Sequence, residues 1–224
     1  MSSENPAASR YTTIATDVLH EVEIKRSRFI TYLRRVSDEP AARELVAELR
    51  KSYFDARHHC SAFVLGADRM VQRSSDDGEP SGTAGIPMLE ALTKRDTGQG
   101  TDLSDIVAVC VRYFGGIKLG AGGLVRAYSD SVSQALEQAQ LLRVQRMHRY
   151  TLDTTHAQAP RYENELRAAG FQVGETTWHP ESAQLTLAIA DEPGRKETLE
   201  AHIASLTAGA GTLNYLDQRW VDLP

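Results

Sequence analysis

The chain has 224 residues, 25% of them charged and 41% hydrophobic, a composition that fits an ordinary folded protein of one large or two small domains and excludes disordered and fibrous classes. With 25 Lys and Arg against 30 Asp and Glu the net charge is −5, so bulk charge predicts no polyanion partner, and any nucleic-acid contact needs a local basic patch. Two cysteines without Cys-x-x-Cys spacing argue against a disulfide framework and a thiolate zinc site, and predict reduced, buried thiols.

In chain order, residues 1–16 read as a flexible Ser/Ala/Pro-containing tail with no signal-peptide pattern, so a cytoplasmic location is expected. No apolar run reaches the roughly 18 to 20 residues of a membrane span, and no membrane role is expected. Val18–Ile24 and Arg28–Val36 form a predicted hairpin around Lys25-Arg26-Ser27. Ser37-Asp38-Glu39-Pro40 is a helix start, followed at helical spacing by Ala42, Leu45, Val46 and Leu49. Cys60–Leu65 and Met70–Arg73 predict a second strand pair, and a short helix carries Met88, Leu89, Ala91 and Leu92. Ile106–Phe114 is continuously apolar at its start, the pattern of a strand covered on both faces at the centre of a sheet. A long helix follows, with Leu124, Tyr128, Val132, Ala135, Leu136, Ala139 and Leu142 on one stripe.

From Arg146 the pattern restarts as strand 148–154, helix 158–169, strands 171–178 and 183–190, helix 194–206 and strand 212–221. This β-α-β-β-α-β order is the ferredoxin-like motif. The expected fold class is therefore α+β in two domains, 17–143 and 144–224. The charge shift agrees with that boundary: residues 144–224 hold 7 basic against 11 acidic side chains.

Three segments are candidates for chemistry. Gly115-Gly116-Ile117-Lys118-Leu119-Gly120-Ala121-Gly122-Gly123 joins a strand to a helix, and glycine flexibility beside free helical N–H groups suits an anion. Its spacing matches no nucleotide motif, and a tight turn that lets the helix lie on the sheet explains the same glycines. Asp76-Asp77-Gly78-Glu79-Pro80-Ser81-Gly82-Thr83 places three carboxylates among turn formers. Mg²⁺ coordination is one reading, and capping of the next helix by Ser81 or Thr83 is the cheaper one. Arg112, Tyr113, Lys118, Arg126 and Tyr128 mix cations with aromatics, as phosphate contact and base stacking require, although Phe114 and Tyr128 also suit a core. His58-His59-Cys60 completes no tetrahedral metal set, because only His58 and Cys60 share a strand face, and the apolar neighbours Phe63 and Val64 favour an inert thiol. No metal, cofactor or catalytic residue is expected.

Asp76–Gly85 and Arg112–Tyr128 together resemble the signature of the IMPACT/YigZ family, and Lys25–Ile30 and His59-Cys60 are similar to further segments of it. One departure is Ile86, where many relatives carry Lys. The resemblance implies an N-terminal domain of the ribosomal-protein-domain type shared with domain four of elongation factor G, a sandwich of helices and sheet, and a C-terminal domain similar to domain five of that factor. It further implies a non-enzymatic role linked to translation, with RNA, the ribosome or a ribosome-associated protein as partner and no DNA sequence specificity. On that reading Arg112, Lys118 and Arg126 neutralise phosphate across Gly115, Gly116, Gly120, Gly122 and Gly123. Tyr113 or Tyr128 stacks, and the Asp76–Thr83 loop is organised by its carboxylates. The alternatives are a phosphate- or nucleotide-binding enzyme of small-molecule-kinase-like fold, with Asp76 or Asp77 as metal ligand or base, and a pure protein-interaction module.

Overall fold

A computed structural model describes residues 8–223, a mixed α+β chain with two sheets and five helices among those residues. It divides into two compact units, one ending at Arg143 and one spanning Val144–Leu223.

The first unit contains β1 (Arg10–Ile14), β2 (Val18–Ile24), β3 (Ser27–Arg35), α1 (Glu39–Ser52), β4 (His58–Leu65), β5 (Val71–Ser75), α2 (Gly85–Thr93), β6 (Ile106–Tyr113) and α3 (Ala121–Gln138). Strand β1 corrects the expected tail over part of its length. Its Tyr11, Thr12, Thr13 and Ile14 are buried, Tyr11 donates to the Asp105 carboxylate, and Thr12 donates to Asp102 at 3.0 Å. Residues 1–7 of that tail lie outside the described residues.

Strands β2-β3-β6-β4-β5 form an antiparallel sheet in that order. Strand β6 lies at its centre, as its apolar run predicts, and successive side chains alternate between two cores. Val107, Val109 and Val111 pack under α1 with Leu45 and Leu49, whereas Ile106, Ala108 and Cys110 pack under α2 and α3 with Met88, Tyr128 and Val132. Phe29 of β3 meets the Tyr128 ring edge-on at 5.2 Å between centroids. Helix α1 starts as expected: the Asp38 carboxylate accepts the Ala41 N–H at 2.8 Å, with Pro40 in the first turn.

The second unit follows with β7 (Leu141–Thr154), α4 (Ala159–Ala168), β8 (Gln172–Val173), β9 (Thr177–Trp178), β10 (Ala183–Ala190), α5 (Arg195–Leu206) and β11 (Leu213–Leu223). Strand β10 pairs antiparallel with β7, β8 and β9. The single strand expected over 171–178 is interrupted. Leu187 pairs with Val173 and Gln184 with Thr177, which leaves residues 174–176 opposite 185–186, one more on the outer strand than on β10. That extra residue is a bulge, and it sits where Gly174 passes 3.5 Å from the Thr186 carbonyl oxygen, measured from the position a Cβ would take.

The β2–β3 hairpin closes at Lys25 and Arg26, both with left-handed backbones at φ 48° and 64°. Two-residue turns of this kind favour Asn-Gly, because other side chains are strained there by roughly 1–2 kcal/mol per residue. Replacing Lys25 with Asn and Arg26 with Gly is therefore expected to stabilise the protein by about 1–2 kcal/mol in urea unfolding monitored by circular dichroism.

Candidate functional site

The C-terminal end of β6 carries a buried polar network. Arg112 points to the α2/α3 side, on the same face as Cys110 and Ala108, and is almost fully enclosed. Its Nη1 donates to Glu79 Oε1 at 2.5 Å and its Nη2 to Ser27 Oγ at 3.5 Å. Tyr128 donates to the same Glu79 oxygen at 2.8 Å, and Cys60 Sγ lies 3.4 Å from the Tyr128 hydroxyl and 3.0 Å from the Asp76 carbonyl oxygen. His58 Nδ1 donates to the Asp77 carbonyl at 2.9 Å, which turns Nε2 toward Glu79 at 4.0 Å. Burial pushes the Cys60 thiol and the Tyr128 hydroxyl well above their ordinary values, so both stay protonated and neither is a nucleophile at neutral pH.

The loop that supplies Glu79 is held by its other two acids. The Asp76 carboxylate accepts three backbone N–H groups, from Gly82 at 2.8 Å, Ala84 at 3.0 Å and Gly85 at 2.8 Å. Partial burial pushes its carboxyl up, and the three donors outweigh that and hold it below the usual range. The cap of α2 is thus Asp76, eight and nine positions upstream of two of its donors, and not Ser81 or Thr83. Ser81 is exposed, and Thr83 donates to the Pro80 carbonyl at 2.6 Å. Asp77 pairs with Arg50 of α1 and accepts the His59 N–H at 2.5 Å. Gly78 and Pro80 are exposed at the bend of the loop. Among the described residues, no three of His, Cys, Asp and Glu converge to hold a metal ion.

Two residues expected to contact a ligand are therefore interior. Arg112 is neutralised by Glu79, and Tyr128 is fully buried, so neither meets a phosphate or a base at the surface. The exposed aromatic is Phe114, expected to be a core filler as readily as a contact: its ring is half exposed, with the Arg112 guanidinium 5.8 Å from its centroid. Tyr113 is partly covered. Its hydroxyl donates to Asp55 at 2.7 Å, which together with burial pushes it up to about 12, and Arg28 lies 5.5 Å over its ring.

Beside this network lie exposed cations and glycines. Lys118 and Arg126 are exposed, and Gly116, Gly120 and Gly122 are exposed around the start of α3, with Gly123 partly covered by Leu119. Gly120 precedes the helix at φ 75°, and no side chain caps it. Gly115 explains a partner that sequence reasoning passed over. A Cβ there would fall 2.0 Å from the Arg26 carbonyl carbon, so the β2–β3 turn lies directly against the glycine loop, and Gly115 N–H donates to Ser27 Oγ at 3.2 Å. Lys25 and Arg26, both exposed, therefore join Lys118 and Arg126 on this surface. The sequence signal was no more than the Gly115-Gly116 pair: the structure shows that Gly116 answers to its positive φ of 84°, whereas Gly115 answers to the close backbone approach.

The family model of the Impact N-terminal domain matches residues 25–136, which contain the whole of this network. An IMPACT family member of Haemophilus influenzae is 40% identical over 209 residues, spanning 89% of this chain and 92% of that one. The chain belongs to the IMPACT family. Two further members are similar: YvyE of Bacillus subtilis, 45% identical over 74% of this chain and 73% of its own, and YigZ of Escherichia coli, 48% identical over 61% and 65%. A crystal structure described as that of a hypothetical protein is 36% identical, covers 93% of this chain and 98% of its own, and superposes with a TM-score of 0.59.

Two outcomes check this account of the family motifs. Gly115→Ala drives a methyl group into the Arg26 backbone and is expected to cost about 3 kcal/mol or more in urea unfolding, whereas Gly122→Ala, with open space at its Cβ and a helical backbone, gains up to about 1 kcal/mol. Glu79→Ala strands the Arg112 charge and is expected to cost about 3–5 kcal/mol, while Glu79→Ala combined with Arg112→Met recovers much of that loss.

Proposed function

We propose that this chain serves translation as a cytoplasmic, non-enzymatic factor that binds RNA, on the ribosome, through the surface formed by the β2–β3 turn, the glycine loop and the start of α3. One observation carries this reading: Lys25, Arg26, Lys118 and Arg126 are exposed there without an ion pair among the described residues, while Asp76, Asp77 and Glu79 of the adjacent motif are turned inward onto protein partners. Unpaired cations on a chain of net charge −5 concentrate phosphate affinity in one place. Phe114 offers a ring for base stacking, and the uncapped start of α3 adds N–H donors toward phosphate oxygens. Ile86, exposed at the start of α2, supplies no charge where many relatives carry Lys, which limits affinity. The β-α-β-β-α-β order of the second unit supports its ferredoxin-like reading and the likeness to domain five of elongation factor G.

A second reading, contact with a ribosome-associated protein, is favoured by the exposure of Ile117 and Val125 between the cations. The enzymatic alternative loses its proposed metal ligand and base, since Asp76 is saturated by backbone donors and Asp77 is engaged by Arg50 and His59.

Cosedimentation of the protein with ribosomes of its own organism across a salt series tests this. Lys118→Ala with Arg126→Ala is expected to weaken association and to flatten the salt slope by about one to two units, from the two phosphate contacts removed. The Lys25→Asn, Arg26→Gly variant should weaken it similarly while folding at least as stably. Association absent at low salt, or a slope unchanged in both variants, overturns RNA binding through this surface, and salt-resistant association that survives both favours a protein partner over RNA.

A further inference from the structure

On the opposite side of the sheet from the glycine motifs, α1 leaves part of β4 and β5 uncovered. A cavity of about 390 Å³ lies between them. Its floor follows from the strand register: Phe63 pairs with Arg73 and Ser61 with Ser75, while Ser61 and Phe63 pair on their other side with Val109 and Val107 of the α1-side core. Arg73 and Ser75 therefore share the face that α1 covers. Helix α1 contributes the stripe Arg43, Val46, Ala47 and Arg50, which repeats at helical spacing and brackets small apolar side chains with two cations about two turns, roughly 10 Å, apart. The short side chains of Ala42 and Ala47 keep the space open.

The polar groups in this cavity are underused by the protein. Among the described residues Arg73 forms no ion pair, and its guanidinium donates to the neighbouring Gln72 carbonyl at 2.8 Å. Among the described residues the Ser61 and Ser75 hydroxyls have no hydrogen-bond partner. Arg43 is held by Glu39 in a pair whose arginine is mostly exposed and exchanges readily with a stronger anion, while Arg50, half exposed, holds the largely covered Asp77. Guanidinium groups with free hydroxyls around an apolar floor are the chemistry of a phosphate attached to an apolar or planar body. The volume falls within the range of about 300–1,000 Å³ typical of small-molecule sites.

We propose that this cavity is a binding site for a phosphorylated small molecule the size of a mononucleotide. Arg73 and one of the α1 arginines take the phosphate, Ser61 and Ser75 donate to it, and the body lies on Phe63 and Val46. Arg50 also holds Asp77, so an occupant that draws on Arg50 acts on the base of the Asp76–Gly85 loop.

Isothermal titration of the full chain with inorganic phosphate and with adenosine monophosphate, at constant ionic strength, tests this. Saturable binding of both is expected, at least tenfold tighter for the nucleotide. Arg73→Ala, at an exposed strand position without a structural partner, is expected to weaken it about tenfold or more through loss of a charge-assisted contact. Arg73→Lys should fall between, and Lys118→Ala with Arg126→Ala should leave it unchanged. Four results each overturn the proposal: no saturable binding of either probe, equal affinity for the two, wild-type affinity in Arg73→Ala with an unchanged melting point, or loss of binding in the Lys118/Arg126 variant.

Discussion

The buried ion pair between Arg112 and Glu79 is the constraint around which the N-terminal unit is arranged. An arginine on the inward parity of a central strand is tolerated only with a carboxylate beside it, because an unpaired charge in that interior costs several kcal/mol. The carboxylate comes from a loop, so the loop must be fixed as firmly as the strand. Asp76 does this by closing the start of α2 with three hydrogen bonds, and Asp77 does it by tying the loop to α1 and to the His59 backbone. Tyr128 then fixes α3 to the same Glu79 oxygen, so that α3, β4 and β6 meet at one carboxylate carried by the loop before α2.

This inward commitment of the acids determines the surface. With Asp76, Asp77 and Glu79 turned to protein partners, these three acids offer the cations near them no counter-charge, and among the described residues Lys25, Arg26, Lys118 and Arg126 are exposed and form no ion pair. The same burial removes Arg112 from that set. Phe114, one residue beyond Tyr113, is left half exposed, with the Arg112 guanidinium in a cation–π contact with its ring.

Much of the fold was legible because it depends on local periodicity. The two-sided burial of β6, the β2–β3 hairpin and the Asp38 start of α1 follow from neighbouring residues alone. The candidate site was less legible because its partners are distant. Asp76 caps a helix from eight residues away, Glu79 reaches a strand 33 positions on, and Gly115 fits against a turn nearly 90 positions earlier. Two signals did lie in the sequence. Tyr128 belongs to the apolar stripe of α3, and Arg112 continues the inward alternation of Ala108 and Cys110, so both positions marked interior residues. The tail was misjudged at Tyr11–Ile14 because so short a run gains its stability from Asp102, Leu103 and Asp105, far along the chain.

The Lys25-Arg26 turn ties these levels together. A hairpin of this geometry is strained with two side-chain-bearing residues at positive φ, and Asn-Gly would relieve the strain. Core packing does not call for the pair, since both side chains are exposed, and among the described residues no carboxylate pairs with either one. Strained conformations persist where surrounding structure enforces them, and here Gly115 presses the turn backbone into place by giving up its own side chain. A glycine that yields space and two cations that accept strain serve one outcome, a positively charged corner beside the uncapped start of α3. Phosphate binding gives that arrangement a purpose that stability alone does not, which is why the turn, more than the glycines, bears the weight of the RNA-binding reading.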